Sequence, residues 1–134
     1  MKNKIKSTII ITAENQERFI ERCIKSCLNQ SVKNIEIIII FTKLKNINAL
    51  KRRYLSKKIV FLNIPKKMNK PTQDQLFKIK QGLLISKGKY IFLLDGDDVY
   101  KKNKVKVVMN SIKDQQTLFL HNFAHHSRTS KRPS

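Results

Sequence analysis

Glycine and proline are scarce in this chain of 134 residues, three of each, and tryptophan is missing. So few turn-formers exclude a loop-rich or collagen-like design. Two cysteines, Cys23 and Cys27, exclude a disulfide-stapled scaffold. They stand four apart in a helical pattern with Phe19, Ile20, Ile24 and Leu28, which reads as buried, reduced core thiols. No Cys-x-x-Cys and no nearby histidine completes a zinc set. Long apolar runs are also missing. Nothing approaches a membrane span, and Thr8 to Thr12, behind the basic Met1 to Lys6, is too short for a signal peptide. These absences together point to a reducing, cytoplasmic protein. Acidic residues are the last scarcity: nine against 29 Lys and Arg, a net charge of +20. Such a charge attracts polyanions (nucleic acid, anionic lipid headgroups, phosphorylated substrates) but says nothing about fold. The lysines are dispersed rather than blocked, which is the mark of compositional bias more than of a binding stripe.

What is present suits one globular domain. Apolar residues make up 40% and charged residues 28%, and the length allows a genuine core but not two ordinary domains. Ile5 to Ile11 reads as a strand centred on Ile9-Ile10-Ile11, followed by a loop, Thr12 to Asn15. Asn15 is an expected helix N-cap, with Glu17 in the first turn where the helix dipole favours it. Apolar positions 19, 20, 23, 24, 27 and 28 give an amphipathic helix that stops near Asn29. Ile35 to Phe41 is a second strand, apolar except for Glu36. A short helix is expected within Lys43 to Lys58, on Leu44, Ile47, Leu50 and Leu55, and Ile59 to Leu62 is a third strand. After the loop Asn63 to Pro71, with Lys66, Lys67 and Lys70 exposed, Thr72 can cap a helix carrying Leu76, Phe77, Ile79, Leu83 and Leu84. Gly88 closes it. Val105, Val108 and Ile112 suggest another helix over 102–113, and Thr117 to Leu120 one more strand. Residues 1–120 form the expected domain. His121 to Ser134 is a basic, aperiodic tail expected to be disordered. Strands alternating with helices imply an α/β fold, a mainly parallel sheet with helices on both faces.

One stretch stands out. Tyr90-Ile91-Phe92-Leu93-Leu94 is an apolar run that ends in Asp95-Gly96-Asp97-Asp98. The run reads as a strand in the middle of a parallel sheet. Its carboxyl end is where open α/β sheets bind ligands. Three carboxylates around one glycine repel one another unless a cation or solvent compensates. They are therefore candidate ligands for Mg²⁺ or Mn²⁺ holding a diphosphate, against a plain Asp-Gly turn as the alternative. The loops Thr12 to Asn15 and Phe41 to Lys45 arrive at the same edge, a nucleotide-binding layout.

The order and spacing of these segments resemble the first half of a family 2 glycosyltransferase, the GT-A fold that uses nucleotide-diphosphate sugars. The resemblance rests on Ile9-Ile10-Ile11-Thr12-Ala13-Glu14-Asn15, Ser26-Cys27-Leu28-Asn29-Gln30 and Glu36-Ile37-Ile38-Ile39-Ile40. It rests above all on Ser86-Lys87-Gly88-Lys89-Tyr90-Ile91, leading into Asp95-Gly96-Asp97-Asp98, and covers about residues 5–113. It implies that Asp95 lies near the ribose and that Asp97 and Asp98, with Asp95, hold Mn²⁺ or Mg²⁺ against the diphosphate. It further implies that Thr12, Ala13, Glu14, Asn15 and Thr42 belong to the nucleotide-sugar pocket. The implied partner is a nucleotide-diphosphate sugar, a UDP-sugar first among them, and the implied setting is cell-envelope polysaccharide synthesis.

The chain departs from the family pattern at Phe41-Thr42-Lys43-Leu44, where the family has Asp-Asp-Gly-Ser with an acid on the base. Glu14 stands where an aromatic commonly packs on the base, Thr12 replaces proline, and Ile79-Lys80 replaces Arg-Asn, with Gly82 kept. Inverting transfer also needs a carboxylate base to take the proton of the acceptor hydroxyl. After Asp98 the sequence offers only Asp114, read as solvated surface, and His121, His125 and His126, read as incidental. No catalytic base is therefore assigned. Three readings follow: a truncated, inactive donor-binding half; a small transferase completed by a partner or by an acceptor on the inner membrane face; or a non-catalytic basic protein binding nucleic acid or anionic membrane. The third has net charge as its only support, and no specific nucleic acid is expected.

Overall fold

The computed structural model describes residues 5–65 and 69–115. The chain runs β1 (Ser7–Glu14), α1 (Ile20–Leu28), β2 (Ile35–Thr42), α2 (Ile47–Arg53), β3 (Ile59–Asn63), α3 (Pro71–Ile85), β4 (Tyr90–Asp95) and α4 (Lys104–Gln115). Lys66 and Lys67, the strand expected at Thr117 to Leu120, and the tail with its three histidines lie outside the described residues.

All four strands are parallel, in the order β3-β2-β1-β4. The unbroken isoleucine runs of β1 and β2 put them at the centre, where both faces are covered. Ile9, Ile11, Ile37 and Ile39 pack on one face with Cys23, Ile24, Val105 and Val108 from α1 and α4. Ile10, Ile38 and Ile40 form the core of the other face, under α3. Helices thus cover both faces, as expected. Cys23 and Cys27 are buried, free thiols.

Three expectations change. First, β4 is an edge strand among the described residues, pairing only with β1, and Ile91 and Leu93 on its second face are half-buried rather than enclosed. Second, the strands run further than their apolar cores. The register carries β1 and β2 on to the pair Glu14↔Thr42, so Thr12 and Ala13 are strand residues, not loop. Asn15 then makes a left-handed turn (φ 52°) instead of capping a helix, and Lys43 makes the matching turn after β2 (φ 53°). Glu17, meant for the first turn of α1, accepts the Lys45 N–H at 2.8 Å, a bond that holds its carboxyl below the usual range.

Third, α3 is turned over. Leu76, Leu83 and Leu84 are 60%, 46% and 71% exposed, whereas Asp74, Lys78 and Gly82 are buried. Pro71 opens this helix and Thr72 makes no cap. The reason lies at Gly82. A Cβ there would stand 2.8 Å from Ile40 Cδ1 and 3.0 Å from Ile10 Cδ1, so the side lacking a side chain is the one that approaches the sheet. Asp74 and Lys78, on the same four-residue stripe, go in with it as an ion pair.

The short α2 is tied to α1 through Glu21, which accepts from the Tyr54 hydroxyl at 2.7 Å and pairs with Arg53. These two partners hold the Glu21 carboxyl below its usual range, while burial and the Glu21 bond push the Tyr54 phenol up to about 12. The stabilisation is fully present above the ordinary carboxylate range and is lost as pH falls through the depressed value. Tyr54→Phe should therefore lower stability by about 1 kcal/mol in urea melts at pH 7 and by clearly less at pH 3. An equal loss at both pH values would mean that packing, not this bond, holds α2.

Candidate functional site at the carboxyl edge of the sheet

The last residues of β1 and β4 face each other in register, Thr12 beside Asp95. Beyond them the chain turns sharply: the Asp98 N–H donates to Asp95 O at 2.9 Å, and the Gly96 N–H donates to Thr12 O at 2.9 Å. Glycine is required by this close approach. A Cβ on residue 96 would lie 2.6 Å from Gln16 Oε1 and 2.9 Å from Ala13 Cβ. The turn rolls the three acids toward one point. Asp95, Asp97 and Asp98 each offer a carboxylate oxygen, and these lie within 4.8 Å of one another. Oxygen ligands at about 2.1 Å from Mg²⁺ sit up to roughly 4 Å apart, so small side-chain rotations suffice to enclose an ion. One atom marks the arrangement as more than a solvated turn. Asp97 Oδ1 is buried and accepts no hydrogen bond among the described residues, a state that is costly for a carboxylate unless something electropositive faces it. The residues present thus fit a divalent cation.

The acids are held from the α1 side. Arg22 Nη2 donates to Asp97 O at 3.3 Å, and the Cys23 thiol, beneath, to Asp95 O at 3.6 Å. The Cys27 hydrogen bond, burial and the nearby Asp95 and Asp98 charges push the Cys23 thiol well above its ordinary value, which keeps it protonated. Further along, the Ser26 hydroxyl accepts the Tyr100 N–H at 3.1 Å, and the buried Gln30 side chain donates to Lys101 O and accepts from Val105 N–H. Tyr100, whose phenol burial pushes well above its usual value, donates to Leu93 O at 2.6 Å. Gln30 and Ser26 are therefore fastenings for the acid-bearing loop.

Next to Asp95 opens a cavity of about 200 Å³, lined by Thr12, Ala13, Glu14 and Gln16 from the first strand and its turn, and by Pro71, Asp74, Gln75 and Lys78 from α3. Of the residues named from the sequence, Thr12, Ala13, Glu14 and Asp95 meet here. Asn15 is exposed, and Thr42 is fully buried with its hydroxyl donating to Ile64 O at 2.8 Å. The α3 contribution was missed. Its signal was the stripe 74, 78, 82, which ends in a glycine and is easily overlooked beside the leucines.

With this geometry in view, similarity to known proteins is specific. Residues 8–43, the segment from β1 through α1 and β2, match the family model of glycosyl transferase family 2. Over that segment the chain is similar to the family 2 glycosyltransferases. An uncharacterized glycosyltransferase of Rickettsia conorii is 29% identical over 127 residues, 92% of this chain and 20% of that protein. Another, from Haemophilus influenzae, is 28% identical over 110 residues, 76% of this chain and 31% of its own length. The chain thus spans between about a sixth and a third of the curated relatives it matches. Among solved structures, S. aureus TarS 1–349 in complex with UDP-GlcNAc superposes with a TM-score of 0.68 at 17% identity, over 83% of this chain and 32% of that one. A mannosyltransferase of Pyrobaculum calidifontis, in complex with GDP-Man and Mn²⁺, gives 0.58 at 12%, over 72% and 29%. The fold is the GT-A glycosyltransferase fold, of which the described residues form the amino-terminal sheet and its helices. No helix among the described residues is long and apolar enough to cross a membrane.

Proposed function

We propose that this domain is the donor-binding part of a glycosyltransferase, taking a nucleotide-diphosphate sugar at the carboxyl edge of the sheet through a divalent cation. The observation that carries the reading is the convergence of three carboxylates, with Asp97 Oδ1 buried and unpartnered among the described residues, beside an open cavity that Asp95 lines. Asp95, Asp97 and Asp98 would hold Mn²⁺ or Mg²⁺. Such an ion neutralises the charge that develops on a departing nucleoside diphosphate. Thr12, Ala13 and Glu14, which line the cavity, would face the nucleoside, and Asp95 would stand between nucleoside and diphosphate; Asn15 and Thr42 do not line it. Support comes from the family match and from structural neighbours that bind UDP-GlcNAc or GDP-Man with Mn²⁺. The donor domain so proposed extends over residues 1–120. Transfer to an acceptor hydroxyl requires a base, which none of the described residues is assigned to supply; the chain spans 20% of the Rickettsia conorii relative.

The test is calorimetric titration of UDP-GlcNAc and GDP-Man with Mn²⁺ or Mg²⁺, and again with chelator, using tripolyphosphate as a control for simple attraction to a +20 chain. Chelation should weaken binding of the productive donor by about tenfold or more, while tripolyphosphate binding should fall steeply with salt. Binding of both donors by the folded protein that ignores chelator, or no binding at all, would sink the reading.

A further inference from the structure

We propose that the buried Asp74–Lys78 pair of α3 reads the nucleobase, in place of an acid after β2. The inference rests on the donor-site reading above and deepens it to a substrate class: nucleoside diphosphates of uracil or guanine.

The end of β2 offers no carboxylate. Thr42 is buried and spends its hydroxyl on Ile64 O, and Lys43 beside it is exposed. On α3, Asp74 and Lys78 are only 5% and 2% exposed, yet both line the cavity with Thr12 and Asp95. Burying a carboxylate and an ammonium on the sheet-facing side of a helix is expensive compared with burying leucine. This helix has leucines available and turns Leu76, Leu83 and Leu84 outward. A pair kept inside at that expense, beside an open volume and next to Asp95, has the features of a recognition element.

Its chemistry is directional. The Lys78 ammonium donates to Asp74 Oδ2 and has further protons to offer, while the carboxylate accepts. Donor and acceptor therefore stand side by side on one helix face, one turn apart. The complement is a ring N–H next to a carbonyl oxygen, the imide of uracil or the lactam of guanine. The N–H goes to Asp74 and the oxygen to Lys78. Cytosine and adenine present a ring nitrogen without a proton and a less acidic amino group, so they pair less well with a carboxylate. Because the pair is neutral as a whole, it adds no charge against the nearby acids. Gln75, whose Nε2 reaches Thr12 Oγ1 at 3.5 Å, links the same helix turn to the β1 wall.

The experiment is titration of UDP, GDP, CDP and ADP in saturating Mn²⁺ against the wild type and against the double variant D74L/K78M, with circular dichroism to verify folding. Replacing both partners with apolar residues avoids leaving one buried charge alone. The wild type should bind UDP or GDP about tenfold or more tighter than CDP and ADP, as for other bidentate base contacts. The double variant should keep metal-dependent binding but hold all four within about threefold. If it does not fold, Lys78→Arg, which retains the charge but moves the donor, must alter the ranking while leaving inorganic pyrophosphate affinity unchanged. A folded variant with the wild-type ranking, or a wild type that binds all four equally, overturns this inference and leaves the donor site standing. A wild type that binds none of them with metal overturns both.

Discussion

Asp97→Ala is expected to weaken metal-dependent binding of the nucleotide sugar by about 100-fold or more, since losing a direct ligand should cost at least as much as losing an outer-shell partner. The sign of this change is diagnostic. The chain carries +20, and removing a carboxylate makes it more positive still. If anionic ligands were held by the general field of the lysines, the substitution would strengthen their binding. Only a site in which the carboxylate acts through a cation predicts the opposite. Stability should move in the other direction. Without metal, the wild type keeps a buried Asp97 Oδ1 with no hydrogen bond among the described residues, within 4.8 Å of oxygens from two more acids. Removing it relieves both repulsion and desolvation. The variant should thus melt slightly higher than the wild type in chelator, by the equivalent of about 0.5–1 kcal/mol, as often happens when a functional group held at some cost is deleted. In millimolar Mn²⁺ the order should reverse, because only the wild type gains linkage stabilisation from the ion. A lower melting temperature in both conditions would identify Asp97 as a structural residue of the turn.

Much of this arrangement can be read from the residues in order. The isoleucine runs of β1 and β2 are unambiguous because strands covered on both faces are apolar at their centres, and the one buried charged residue of the two strands, Glu36, proves structural. Glu36 is 5% exposed and accepts both the Thr8 hydroxyl and the Lys87 N–H, while Thr8 accepts the Gly88 N–H. Gly88 is fixed by the same contact, since a Cβ there would stand 2.6 Å from the backbone of Ser7 and Thr8. Several of the short motifs that suggested the family are thus scaffold: they pin the far edge of the sheet and the loop behind the acids. The acids themselves were legible because a strand of known direction ends in them. What escaped was anything decided by the depth of packing. Periodicity alone puts the leucines of α3 inside, but the close approach allowed by Gly82 selects a different face. It also takes β4 for a central strand, whereas among the described residues β4 is an edge with Ile91 and Leu93 half-buried. Asn15 reads as a cap only while β1 is thought to end at Ile11; once pairing continues to Glu14, the same residue is needed for a left-handed turn.

Gln30→Ala should be among the most damaging substitutions outside the isoleucine core, at about 2–4 kcal/mol. Gln30 is 1% exposed, and its amide is used in full: Nε2 donates to Ser26 O at 3.1 Å and Lys101 O at 2.8 Å, and Oε1 accepts the Val105 N–H at 3.0 Å. The last bond caps an otherwise orphaned donor in the first turn of α4, from a residue just past the end of α1 and far away in sequence. Alanine would leave that N–H dry and unpaired and open a void where the amide sat. Gln30→Glu separates the two halves of the role, because a carboxylate can still accept from Val105 but cannot donate to Ser26 or Lys101. It should lose as much as alanine or more, since a buried charge is added. Urea melts would show the midpoint falling with the slope unchanged. The loop from Asp97 to Lys101 hangs between β4 and this anchor, so loosening it should also weaken metal-dependent nucleotide binding, by about tenfold, without touching any residue at the carboxylates. Ser26→Ala, which removes only the acceptor for Tyr100 N–H and a bond to Cys23 O, should give a smaller version of both effects. If Gln30→Ala lost stability but bound donor and metal like the wild type, the acid-bearing loop would be held well enough without Gln30, by the Asp95–Asp98 turn, the Gly96 contact to Thr12 and the Arg22 and Cys23 bonds from α1.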